Sequence, residues 1–181
     1  MENKLPEIVS TETVYKGKVF DIRVAQIREG KNEYAREIVA HHGSCVIVPV
    51  FADNRVALVK QYRHPARKYL LEIPAGTLNE NEAPETGAGR EVEEEIGVRA
   101  GKIERLCEFY VSPGFLTEKM HVFLATDFTP STQNLDEDEF LSIEKYGFEQ
   151  IFQMIKSGEI EDAKTIAGVI LAGAKFGFSF R

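Results

Sequence analysis

Two Val-rich runs, residues 44–51 and 55–62, constrain the fold most, because they are apolar at nearly every position rather than at alternate ones. A strand with one wet face alternates, whereas a continuous apolar run of this length predicts a strand covered on both faces. Helices must then flank it. Ala52-Asp53-Asn54 separates the runs and reads as the turn of a hairpin between them. Upstream, residues 9–15, 19–28 and 33–40 read as strands, with Phe20, Ile22 and Val24 alternating and Glu29-Gly30-Lys31-Asn32 as a hairpin turn. Downstream, Leu70-Leu71-Glu72-Ile73 runs into Pro74-Ala75-Gly76, which breaks any regular element, and residues 77–82 form a polar loop. Residues 83–96 form a helix with Pro84 in its first turn, weakened by Gly87 and Gly89, and Gly97 suits its left-handed C-terminal cap. Strand character resumes at 104–111 and 120–127, and 129–138 is a polar, acidic loop. Phe148, Ile151, Phe152 and Ile155 follow helical spacing, as do Ile166, Ile170 and Ala174 after an Asp162 cap. The expected fold is α/β, a mixed sheet with helices against it, preceded by an antiparallel N-terminal strand region.

A length of 181 residues suits one hydrophobic core. A composition 43% hydrophobic and 28% charged, with 14 Gly and 7 Pro, excludes disordered and collagenous classes. The net charge of −7, from 22 basic against 29 acidic residues, argues against general nucleic-acid binding. Cys45 and Cys107 lie far apart in apolar runs without Cys/His spacing, so they read as buried thiols in a reducing compartment rather than a zinc site or disulfide. The N-terminus, Met1-Glu2-Asn3-Lys4-Leu5-Pro6, lacks an apolar signal region, and the longest apolar run, 45–52, is too short to span a bilayer. A cytoplasmic protein without a membrane partner is expected.

The chemistry concentrates in Arg90-Glu91-Val92-Glu93-Glu94-Glu95-Ile96-Gly97. Glu91, Glu94 and Glu95 stand at i, i+3 and i+4 and share one helical face, while Glu93 points elsewhere. Like charges at that spacing destabilise a helix by tenths of a kcal/mol per pair, so something should offset them. An all-oxygen set favours Mg²⁺ or Mn²⁺ over Zn²⁺, and Mg²⁺ binds through one or two carboxylates plus substrate phosphates. The octapeptide alone is equally compatible with a solvated acidic face.

Wider spacing separates the two. Gly76-x5-Glu82-x7-Arg90-Glu91-Val92-x-Glu94-Glu95-x-Gly97-Val98 matches every fixed position of the Nudix box, and the chain resembles the Nudix hydrolase superfamily. The resemblance implies an α/β/α sandwich in which a loop-helix-loop presents glutamates and metal to a nucleoside diphosphate linked to another group. It further implies Glu91 and Glu95 as principal metal ligands, Glu94 supporting a further metal, the Ala75 carbonyl as a ligand, and Arg90 fixing the helix by pairing with Glu82. Gly76 would let the chain fold tightly beside the metals, and an ordinary turn glycine is compatible with that role.

Outside the box, Ser112-Pro113-Gly114, Gln61-Tyr62-Arg63, Arg36-Glu37 and Asp162-Ala163-Lys164-Thr165 are similar to the ADP-ribose pyrophosphatase branch, so the resemblance covers nearly the whole chain. Arg63 and Arg36 are candidates for pyrophosphate or sugar hydroxyls, because a guanidinium offers several donors in a fixed fork; surface arginines are the competing reading. The resemblance places Ser112 and Glu118, beside Pro113 and Gly114, near the distal ribose, with loop capping as the alternative. Glu72 between Leu71 and Ile73 would face the catalytic side if they face the core, or else pair with a basic neighbour. Tyr15 or Phe20 could stack on adenine, but either is more often core, and sequence gives no basis for choosing between them. In the resembling branch the proton acceptor lies on a loop after the box, which here corresponds to Asp136-Glu137-Asp138-Glu139, with Glu139 preferred over Glu137 and an acidic surface loop as the alternative. The implied activity is Mg²⁺-dependent hydrolysis of ADP-ribose to AMP and ribose 5-phosphate. The alternatives are broad hydrolysis of nucleoside diphosphate sugars and a non-catalytic ADP-ribose sensor. Residues 1–42 are expected to supply strands for a homodimer and substrate contacts, and residues 43–181 the catalytic domain.

Overall fold

The structure, a computed structural model, describes residues 5–137 and 139–180; Met1-Glu2-Asn3-Lys4, Asp138 of the acidic loop and Arg181 lie outside the described residues. The chain divides into two compact units, Met1–Gly43 with Phe109–Met120, and Ser44–Glu108 with His121–Arg181. In the first, β1 (Glu7–Lys16), β2 (Asp21–Glu29) and β3 (Asn32–Ala40) form an antiparallel meander in that order. Only the middle strand has a strongly buried face, at Ala25 and Ile27, and β1 is exposed along its whole length. Residues 109–120 join this unit through a parallel bridge between Val39 and Leu116.

The second unit contains two sheets. β4 (Ser44–Pro49) and β7 (Ala75–Thr77) join β8 (Val98–Tyr110) and β9 (Lys119–Pro130) in the order β7-β4-β9-β8. β5 (Arg55–Arg63), β6 (Lys68–Glu72) and β10 (Leu141–Gly147) form the other, in the order β10-β5-β6. Three helices complete it: α1 (Pro84–Ile96), α2 (Phe148–Ser157) and α3 (Ala163–Lys175). Every residue of β4 is buried. Cys45 and Ile47 pack with Ala88, Val92 and Ile96 of α1 and with Ala57 and Val59 of β5. Val48 instead meets α3, where Gly168 brings the helix backbone against it and Ile73. A strand apolar on both faces thus has a helix on each, and each buried Val or Ile stabilises the arrangement by roughly 1.5–3 kcal/mol.

The expected hairpin between the two apolar runs is not formed. β4 and β5 share one isolated antiparallel bridge, Val50 to Val56, and then diverge into different sheets. β7 and β9 occupy the two hydrogen-bonding edges of β4, which leaves none for β5. β5 turns instead to β6 and to β10, which lies along it from Leu141 opposite Gln61 to Gly147 opposite Arg55. Two further differences are that β7 forms where a break was expected, and that β8 begins at Val98 rather than at residue 104. Among the described residues no helix is long and apolar enough to cross a membrane.

Candidate active site

α1 begins after an extended Ala83 with Pro84 in its first turn, and ends at Gly97, whose φ of 67° is left-handed and whose N–H donates to the Glu93 carbonyl at 3.0 Å. Val92, Ala88 and Ile96 turn its apolar stripe into the core, and Glu91 and Glu95 are buried beside that stripe, 7% and 5% exposed. β7 lies alongside. A Cβ on Gly76 would overlap the Glu91 carboxylate where it now lies, so a larger residue there would displace that carboxylate.

One guanidinium organises the acidic face. Arg90 donates through Nε and Nη2 to the two oxygens of Glu82, both at 3.0 Å, and through Nη1 to Glu91 at 2.7 Å and Glu94 at 2.8 Å. Glu82 also accepts from the Asn79 N–H at 2.9 Å. Hydrogen bonds from Arg90 hold the Glu82 carboxyl below its ordinary range. Glu91 goes the other way: burial pushes it up to about 7 despite Arg90, with the charges of Glu94 and Glu139 adding to the rise. Burial pushes Glu95 up to about 8, helped by Glu91 and Glu139 and opposed by the Ala75 N–H and the Arg63 charge. Glu95 Oε2 is buried without a hydrogen-bond partner.

The Glu139 charge thus bears on both buried ligand candidates, while Glu137 is exposed. Glu139 Oε2 accepts from the Asp136 N–H at 3.3 Å. Among the described residues no three His, Cys, Asp or Glu side chains form a ready-made metal cage; Arg90 holds oxygens of Glu91 and Glu94. The donor set nevertheless fits a hard cation, because Glu95 keeps an unused buried oxygen next to a second carboxylate of raised pKa. For Ala75 the structure gives the amide on Glu95 and pairing with Val46 of β4.

Beside this cluster, Arg63 at the end of β5 makes a two-point pair with Glu72, both contacts at 2.7 Å. Of the two readings of Glu72, the structure contains the ion pair. The residue is 1% exposed, and Oε2 also accepts from Lys164. Lys164 in turn pairs with Asp162 at 3.0 Å, and Asp162 caps α3 through the Thr165 N–H. Sequence reading assigned Lys164 no role of its own. The signal was present, since a lysine in the first turn of a helix opposes the macrodipole and needs a compensating anion.

The remaining candidates belong to the first unit. Arg36 lies on β3 opposite Ala25, with its guanidinium 4.2 Å from the Tyr34 ring centre. Ser112 opens the turn through Pro113 and Gly114, its carbonyl accepting from Phe115 and Leu116 at 3.2 and 3.0 Å. Glu118 stands 3.9 Å from His41 Nδ1. His41, which sequence reading did not single out, is tied by its N–H to Thr117 Oγ1 at 2.8 Å.

Residues 41–169 match the model of the NUDIX domain. The chain is 37% identical over 168 residues to an ADP-ribose pyrophosphatase of Bacillus subtilis (strain 168), covering 91% of each. It is 35% identical over 164 residues to a methanol dehydrogenase activator of Bacillus methanolicus, covering 89% of each. A crystal structure of an ADP compounds hydrolase superposes with a TM-score of 0.85 over 98% of this chain and 97% of that one; at 20% identity this is a likeness of fold.

Proposed function

The chain belongs to the Nudix family of pyrophosphohydrolases, and from that premise we propose that it hydrolyses ADP-ribose to AMP and ribose 5-phosphate with the help of Mg²⁺ or Mn²⁺. The observation that carries this reading is the buried Glu95 oxygen without a partner, set beside Glu91 and within reach of the Glu139 charge. Glu91 and Glu95 would hold the cation, with Glu94 and the Ala75 carbonyl at its margin. Such an ion, when bound, neutralises phosphate charge and acidifies water.

The side chains of this chain supply the rest. Glu139 accepts the proton of the attacking water, a role its loop position suits because the segment can close over substrate. Arg63, with Nε and Nη2 committed to Glu72, has donors left for a phosphate oxygen. Arg90 takes no part in the chemistry; it holds Glu91 and Glu94 in place. Arg36, Ser112 and Glu118 are proposed as sugar or phosphate contacts on sequence grounds alone. The exposed β1, with Ile8, Val9, Val14 and Tyr15 bare, supports a homodimer, for which light scattering should give about twice 20.4 kDa. Two free thiols fit a reducing compartment such as the cytoplasm.

Purified protein given ADP-ribose and Mg²⁺ should release AMP, and do so faster than with ADP-glucose or GDP-mannose. Equal rates on all three would select the broad hydrolase. Tight ADP-ribose binding without AMP release would select the sensor.

A further inference from the structure

The turn of α1 that carries the acidic cluster is not capped by α1 itself. The last four carbonyls of a helix have no intrahelical donor. α1 has no basic residue in its last turn, and of these carbonyls the Gly97 N–H serves that of Glu93. A single distant segment supplies further donors. The Asn134 N–H donates to the Glu94 carbonyl at 3.0 Å, Gln133 Nε2 to the Glu95 carbonyl at 2.6 Å, and the Ser131 N–H to the Gly97 carbonyl at 2.9 Å. Ser131 Oγ also donates to Glu93 Oε1 at 2.5 Å, and Arg99 Nη2 reaches the same oxygen at 2.8 Å. Gly97 makes the docking feasible, since a Cβ there would stand 3.1 Å from the Gln133 nitrogen.

This segment leads to Glu139. Its root is thus fastened to the same helical turn whose side chains, Glu91 and Glu95, feel the Glu139 charge. Glu93, which faces away from the acidic cluster and would otherwise be an ordinary surface glutamate, is an anchor point. On the reading of Glu139 as proton acceptor, we propose that Ser131, Gln133 and Glu93 are positioning residues: they pin the root of the base loop to the carbonyl end of α1 and hold base and ligand carboxylates in one register.

Positioning predicts a loss of turnover without a loss of binding, because a misplacement of about 1 Å can lower a rate by up to 10²-fold. Gln133→Glu keeps the side-chain shape but sets a carboxylate against a carbonyl, and Ser131→Ala removes the hydroxyl. Each should lower kcat about tenfold with KM within about twofold, and together they should approach 10²-fold. Ser131→Thr, which keeps the hydroxyl, should restore turnover, and circular dichroism should report a folded protein throughout. In a Glu139→Gln background the same changes should have no further effect on kcat, because the group they position is already gone. If Glu139→Gln lowers kcat while the anchor variants do not, or if the losses multiply in full in that background, the anchoring role is wrong and the base assignment stands. If Glu139→Gln is as active as wild type, the base assignment itself falls and takes the anchor with it.

Discussion

Glu72 and Glu95 are carboxylates of one compact unit buried to nearly the same depth, 1% and 5% exposed, and they end in opposite states. Burial alone would raise Glu72, but the Arg63 hydrogen bonds and the Lys164 charge reverse that and hold it below the ordinary range. Burial raises Glu95 to about 8, and nothing in its surroundings reverses it. Depth therefore does not distinguish structure from chemistry; the partner inventory does. A buried carboxylate with both oxygens paired is a finished piece of architecture. One with an orphan oxygen among like charges marks a place where the fold has left room for positive charge that the chain does not supply.

The sharpest way to break this contrast is to neutralise each carboxylate in turn. Glu95→Gln should lower kcat for ADP-ribose by 10²-fold to 10³-fold, on the order of 3–4 kcal/mol of lost stabilisation, while leaving stability without divalent ions unchanged or higher. AMP release and thermal unfolding in EDTA measure the two halves, and a variant that unfolds earlier would mean that Glu95 is structural after all. Glu72→Gln should do the reverse first: it leaves Arg63 and the buried Lys164 without their shared anion, and urea unfolding should show a loss of about 3 kcal/mol. A loss below about 1 kcal/mol would erase the distinction between the sites.

Why half of this contrast was legible in sequence follows from how far each signal travels. α1 could be read because its cues are local: Pro84, Gly97, and glutamates spaced to share a face. The double burial of β4 was legible because continuous apolarity admits few alternatives. Strand pairing was not, since the competitor that claims one edge of β4 is a three-residue strand hidden between Pro74 and Leu78. Glu72 illustrates the same limit. Alternation with Leu71 and Ile73 predicts an opposite face, yet all three are buried, and the lysine that completes the Glu72 pair lies 92 residues onward. The Glu139 register was also open in sequence; among the described acidic side chains of the loop, it is the Glu139 charge that adds to the rise of both Glu91 and Glu95.

Two smaller effects sharpen the comparison without touching turnover. A cation that binds only the native state adds about 2.7 kcal/mol at a hundredfold excess over its Kd, and each kcal/mol moves the midpoint of a domain this size by roughly 2–4 °C. Mg²⁺ should therefore raise the thermal midpoint of wild type and of Glu72→Gln by similar amounts, EDTA should reverse the rise, and Glu95→Gln should show little of it. An equal rise in Glu95→Gln would place the cation elsewhere.

The last effect lies on the acid side. Because the folded-state pKa of Glu72 is held below its unfolded value of about 4.5, its contribution to stability is fully present above that value and disappears as pH falls through the folded-state pKa. The stability gap between wild type and Glu72→Gln should accordingly be constant from pH 7 down to about 5 and then narrow as acid protonates the Glu72 carboxyl, first in the unfolded chain and at lower pH in the native state. Urea titrations at closely spaced pH values would reveal it. A gap that held its full size well below pH 4 would mean that Arg63 and Lys164 stabilise the fold through packing of their stems rather than through the charge of Glu72.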